Sequence, residues 1–136
     1  MARSATYRVI YGDTDRMGFL YNGNYLRLFE IGRNEYFRNT SFTYRSLEEY
    51  GYMLPVLEAH CVYKQNARYD DLLTISTSVT QLTRVRMRFD YQITREDVLI
   101  AHGYTLHAFM NTSNKICRLP EKFYEILAAN STVESC

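Results

Sequence analysis

Residues 11–25 read YGDTDRMGFLYNGNY. Two carboxylates, Asp13 and Asp15, stand just ahead of Gly18, and Tyr21-Asn22-Gly23-Asn24-Tyr25 follows. A helix that starts near Asn24 leaves backbone N–H groups free at its first turn, at the positive end of its dipole. Such donors stabilise an oxygen that is becoming negative. A carboxylate facing the same place can attack a carbonyl carbon or activate water, so the combination suits acyl transfer. Gly18 and Gly23 let the backbone approach a ligand closely. The same residue types also build ordinary turns and helix caps, so the spacing alone leaves both readings of Asp15 open.

The elements that must position these residues are legible as patterns. TYRVIY, residues 6–11, is β-branched and aromatic and predicts a first strand, which GDTDRMG then breaks. From Asn24 the period changes: Tyr25, Leu28, Phe29, Gly32 and Tyr36 fall on one face of a helix. Gly32 costs about 1 kcal/mol in a helix interior, so its place on the buried face predicts a neighbouring backbone lying close against it. A second short helix is expected over 43–50 with Thr43 as its N-cap, and a long strand within 51–66. Residues 72–82 and 84–94 alternate as half-buried strands, the second with Val85, Met87, Phe89, Tyr91 and Ile93 inward. Residues 98–111 are apolar at both parities, which predicts a strand covered on both faces. Asn111 to Asn114 supplies a hairpin turn, and Pro120 opens a closing helix over 121–128. The order fits an α+β fold in which one antiparallel sheet curls around one long helix.

Composition bounds the rest. With 136 residues the chain makes one domain, 1–136, with a real core. A net charge of +1 argues against general binding to nucleic acid or an anionic membrane. No stretch resembles a signal peptide or a membrane span. Cys61, Cys117 and Cys136 are odd in number and far apart, which suits reduced thiols in the cytoplasm, not a disulfide framework or a zinc site. Cys61 and Cys117 are expected to be core or half-buried.

The stretch YGDTDRMGFLYNGNY followed by L-x-x-F-E resembles the opening motif of hotdog-fold acyl-CoA thioesterases, in the branch of 4-hydroxybenzoyl-CoA thioesterase and the Tol–Pal-associated thioesterases. The similarity continues through LPVLEAHCVYK at 54–64, ARYDDLLTI at 67–75, GYTLHAF at 103–109 and RLPE at 118–121. It implies a hotdog domain that dimerises into one continuous sheet and often pairs again as a tetramer, with active sites at the dimer interface. Asp15 matches the family's catalytic carboxylate, and the amide at Asn22 matches its carbonyl-polarising donor. Gly18, Tyr21, Gly23 and Tyr25 then become candidate substrate contacts, and Asp13 a structural turn residue. Where many relatives read Y-H-x-N-Y, this chain has Asn22 in place of the histidine, which the branch around 4-hydroxybenzoyl-CoA thioesterase also lacks.

The remaining candidates are weighed against plainer roles. Glu58 is a second carboxylate, but it sits in a strand-like run. His60, His102 and His107 have no metal-ligand spacing and are expected to be satisfied core or interface residues. Lys64, Arg68, Arg84 and Arg86 are candidates for the phosphates of coenzyme A, because Arg and Lys pair with phosphate; the alternative for the Arg84–Arg86–Arg88 face is simple solvation. No metal and no cofactor is expected beyond the coenzyme A of the substrate. A hotdog dehydratase is disfavoured, since no H-F-P-x-x-P run is present. A non-catalytic acyl-binding module and a thioesterase acting on carrier-protein thioesters stay open, as does the choice between direct attack by Asp15 and base catalysis. The expected assembly is a homo-oligomer, a tetramer built as a dimer of dimers.

Overall fold

The computed structural model describes residues 2–38, 44–129 and 131. Five strands form one antiparallel sheet in the order β1-β3-β4-β5-β2. They are β1 (Arg3–Arg8), β2 (Val56–Tyr63), β3 (Leu72–Leu82), β4 (Arg86–Arg95) and β5 (Val98–Ala108). The helices are α1 (Asn24–Arg38), α2 (Tyr44–Glu49) and α3 (Glu121–Ala129). The sheet carries α1 across its concave face, the hotdog arrangement.

The helix buries the face its periodicity predicts: Tyr25, Leu28, Phe29, Gly32 and Tyr36, joined by Phe37. Opposite it, the odd-numbered residues of β3 and β4 point inward, with Leu73, Ile75, Val79, Met87, Phe89, Tyr91 and Ile93 all buried. Phe29 stacks on Tyr91 with ring centroids 4.2 Å apart. Each such buried side chain contributes about 1.5–3 kcal/mol of transfer free energy. At Gly32 a Cβ would overlap the Thr77 hydroxyl and come 2.8 Å from Ile75 Cγ2. The notch therefore admits two β3 side chains; the expectation of a close backbone is corrected.

A chain of polar groups threads this apolar core. Arg33 donates to the Tyr91 hydroxyl at 3.2 Å, Tyr91 lies 2.6 Å from Thr105 Oγ1, and Thr105 Oγ1 lies 2.8 Å from His107 Nε2. His107 Nδ1 is 3.0 Å from the Leu54 carbonyl. A carbonyl only accepts, so Nδ1 donates there and Nε2 accepts from Thr105, which in turn accepts from Tyr91. One direction of donation satisfies every link. Burial raises the Tyr91 hydroxyl to about 12 and lowers the His107 imidazole to about 4, so both stay neutral. His107 is thus a satisfied core histidine. His60 is exposed and stacks on Tyr104, and His102 is half-buried on the outer sheet face.

Several boundaries depart from the sequence pattern. The first strand lies at Arg3–Arg8, because Tyr11–Asp13 closes into a 3₁₀ turn. The strand expected within 51–66 shortens to Val56–Tyr63, preceded only by a bridge between Met53 and Met110. Val85 lies ahead of β4 and is exposed. In β5 the inward residues Ala101, Gly103, Thr105 and His107 are buried, while His102, Tyr104 and Leu106 on the outer face are only half-buried. Within the single chain, coverage of both faces is therefore incomplete. Asn111–Asn114 does turn, with Asn111 Oδ1 accepting from Ser113 and Lys115, but it joins only the bridge Met110–Ile116. Thr43 and Cys136 lie outside the described residues. Cys61 and Cys117 are free and half-buried.

Candidate active site

Between β1 and α1 the chain makes a tight loop that Asp15 organises. Its N–H donates to the Phe19 carbonyl at 2.8 Å, and its carbonyl accepts from Gly18 N–H at 3.0 Å. Its Oδ1 accepts from the N–H groups of Met17 and Phe19, at 2.9 and 3.2 Å. Gly18 has φ +82°, a left-handed conformation in which a side chain would be strained. The far arm of the loop is held by a Phe19–Arg68 bridge and by Leu20 N–H donating to the Ala67 carbonyl at 2.8 Å. These bonds fix Asp15 Oδ1, and Oδ2 has no partner among the described residues.

Asp13 fastens the same loop to the helix. Its carboxylate is buried and accepts from the Tyr7 hydroxyl (2.6 Å), Ile10 N–H (3.1 Å) and Arg27 (2.8 Å). Its carbonyl accepts from Tyr21 N–H at 2.9 Å and from Asn24 Nδ2 at 2.8 Å. It joins β1, the loop and the first turn of α1. That is the structural role its sequence position suggests, made with partners up to 14 positions away.

An open cleft of about 500 Å³ lies at the start of α1. Asp15 and Asn22 both line it, seven positions apart in sequence and brought together by the loop. The N–H groups of Asn22 and Gly23, in the turn that leads into α1, meet no acceptor among the described residues. Tyr21, exposed, and Tyr25, buried, form walls with Phe19 and Leu20. Tyr63, Gln65 and Asn66 close the other side from the end of β2. Tyr63 donates to the Asn22 carbonyl at 3.1 Å and meets the Tyr25 ring edge-on at 5.0 Å. Burial raises the Tyr25 hydroxyl to about 12 and also raises Tyr63, so both stay protonated donors.

The other candidates are placed unevenly. Arg68 lies over the Phe19 ring, 4.7 Å from its centroid, and borders Gly18 at the cleft rim. Lys64 is exposed between the cleft residues Tyr63 and Gln65. Gly23 sits at the helix start beside the Tyr21 ring, outside the lining itself. Arg84 and Arg86 lie elsewhere. Arg86 pairs with Ala108, whereas Ile93 pairs with Ala101, the partner of Tyr63. Seven residues along a strand span roughly 23 Å, so one chain does not bring these arginines to its own cleft. Glu58 is exposed on β2 beside the Tyr104 hydroxyl at 3.5 Å, and it does not line the cleft. Sequence reasoning missed Arg16, Met17, Phe19 and Leu20 and the β2-end residues Tyr63, Gln65 and Asn66. The first four lay inside the quoted loop and could have been included; the last three carry no local signal.

A single antiparallel sheet around α1 gives the molecule the hotdog architecture, and Asp15 and Asn22 share one cleft at the helix start. The chain belongs to the thioesterase-like superfamily, whose family model matches residues 9–127. It is 33% identical over 95 residues to the acyl-CoA thioesterase YbgC of Haemophilus influenzae, covering 69% of this chain and 70% of that protein. Among solved structures it superposes on a hypothetical protein from Thermus thermophilus with a TM-score of 0.92, at 26% identity, covering 98% of this chain and all of that one. The DHNA-CoA thioesterase of Staphylococcus aureus gives a TM-score of 0.89 at 27% identity, with 94% and 89% of the two chains covered.

Proposed function

We propose that the protein hydrolyses the thioester of an acyl- or aryl-coenzyme A to the free acid and coenzyme A, with Asp15 as the catalytic carboxylate. The observation that carries this reading is the meeting of Asp15 and Asn22 in one cleft at the start of α1. The thioester oxygen takes the helix-start N–H groups, and negative charge that develops there is stabilised in place. Asp15 Oδ2 then either attacks the carbonyl carbon, giving an anhydride that water cleaves, or removes a proton from an attacking water. The thiolate of coenzyme A leaves and is protonated by solvent. Fixing Oδ1 by two backbone amides leaves the other oxygen as the reactive one, and keeps the carboxylate in place without a partner side chain.

The test is incubation of the purified protein with benzoyl, hydroxybenzoyl and short to long aliphatic coenzyme A thioesters and a thiol reagent. Free thiol appears with at least one of them. Release from acyl-carrier-protein thioesters alone would move the substrate to the carrier, and no release from either would favour a non-catalytic binding module.

We read the chain as a cytoplasmic homo-oligomer, a tetramer as a dimer of dimers. Support comes from β2, an edge strand with Val56, Leu57 and Tyr63 exposed, and from the half-covered outer face of β5. Among the described residues no helix is long and apolar enough to cross a membrane. Light scattering at micromolar concentration should give a mass above that of one chain. A monomer would contradict the assembly. The chemistry proposed uses no metal and no redox cofactor, so turnover should survive dialysis against EDTA; a strict need for added divalent metal would overturn that point.

A further inference from the structure

Asn22 shares the cleft with Asp15, and its N–H meets no acceptor among the described residues. The peptide before it is held within the loop. Tyr21 N–H donates to the Asp13 carbonyl, and the Tyr21 carbonyl accepts from Asn24 N–H, both at 2.9 Å. The peptide after it, from Asn22 to Gly23, is held from the sheet. Its carbonyl accepts a long bond from Tyr25 N–H at 3.3 Å and a shorter one from the Tyr63 hydroxyl at 3.1 Å, 41 positions away in sequence. Its N–H, on Gly23, meets no acceptor among the described residues.

Tyr63 is a firm anchor for that bond. It ends β2 and pairs with Ala101 of β5, and the next two N–H groups, of Lys64 and Gln65, donate to the Ile100 carbonyl at 2.8 and 3.1 Å. Its ring meets the Tyr25 ring edge-on at 5.0 Å. Burial, with the Cys61 thiol beside it, pushes its hydroxyl up, so the proton stays on oxygen. A carbonyl only accepts, so that single proton is committed to Asn22 and is not free for a substrate. The hydroxyl therefore acts on the turn. Donation to a carbonyl shifts charge across the partial double bond of the same peptide and makes its N–H a stronger donor.

We propose that Tyr63 is a positioning residue of the thioester site, whose hydroxyl fixes the Asn22–Gly23 peptide and strengthens the amide donors that the thioester oxygen meets. The inference rests on the thioester hydrolase reading and adds a residue of the sheet to a site otherwise built by the loop. Negative charge grows on that oxygen only as the carbonyl carbon is attacked, so the effect falls on kcat and not on substrate binding.

Tyr63→Phe tests it, because Phe keeps the ring against Tyr25 and loses only the hydroxyl; Tyr63→Leu is the control for packing. The bond is exposed to solvent, so its loss should lower kcat on the best coenzyme A thioester roughly threefold to tenfold, with KM and the melting temperature nearly unchanged. In amide NMR spectra of the isotope-labelled full chain, the Gly23 resonance should move upfield in Tyr63→Phe as its peptide loses polarisation. A packing role alone would lower the melting temperature in Tyr63→Leu and leave kcat in Tyr63→Phe at the wild-type value. That result, or an unmoved Gly23 resonance, would overturn this inference and leave the hydrolase reading standing. A wild type that hydrolyses no thioester would overturn both.

Discussion

The Asp13 carboxylate and the Arg27 guanidinium meet at 2.8 Å, one buried in the turn that follows β1 and the other half-exposed on α1. The two partners are unequal. Removing the carboxylate strands the Tyr7 hydroxyl and Ile10 N–H as well, whereas removing Arg27 leaves Asp13 two other donors.

Asp13→Asn should therefore lower stability by about 1–3 kcal/mol, the cost of leaving buried partners poorly satisfied. Arg27→Met should cost under about 1 kcal/mol, because solvent screens a guanidinium that is 43% exposed. Urea unfolding of the two single variants and the double variant measures both effects and their coupling. Equal losses for the two singles would show that the ion pair, not the buried carboxylate, holds the loop.

Stability should fall below neutral pH through His107. Its folded pKa, about 4, lies below the unfolded value of about 6.5, so the unfolded chain binds the extra proton first. The contribution is fully present above pH 6.5 and is lost as the pH falls from there to about 4. The full effect is on the order of 3 kcal/mol. Thermal melts between pH 4 and 7 should show this slope in the wild type and a shallower one in His107→Gln. Parallel profiles would mean that the fold leaves the His107 pKa at its unfolded value.

How much of this was legible beforehand differs between elements. The span of α1 and its buried face followed from period 3.6, and β3 from period 2, because both elements pack one face on the core. The first strand was misplaced because Tyr11 has the composition of a strand residue, yet the Asp13 carboxylate folds its neighbours into a turn. Asp15 and Asn22 could be paired from sequence since one loop joins them. Tyr63, Gln65 and Asn66 could not, because β2 reaches the cleft only through its pairing with β5. Arg84 and Arg86 looked equivalent to Arg68 as phosphate contacts, and only strand register shows that they lie at the other end of the sheet.

Gly32 is a direct check on the α1–β3 packing. Gly32→Ala gains about 1 kcal/mol of helix propensity. It also forces a methyl group into Thr77 and Ile75, which costs about 1–3 kcal/mol. The overlap should win, giving a net loss of stability in urea unfolding. A stabilised variant would mean that α1 sits farther from β3 than described.

The central claim is that Asp15 performs the chemistry, and Asp15→Asn tests it most directly. The amide keeps an oxygen to accept from Met17 and Phe19, so the loop should hold its shape while the reactive carboxylate is lost. Steady-state kinetics on the best coenzyme A thioester should show kcat reduced by roughly 10² or more, with KM changed only a few-fold. Near-normal kcat in Asp15→Asn, with activity abolished instead in a folded Asp13→Asn or Glu58→Gln, would contradict the account.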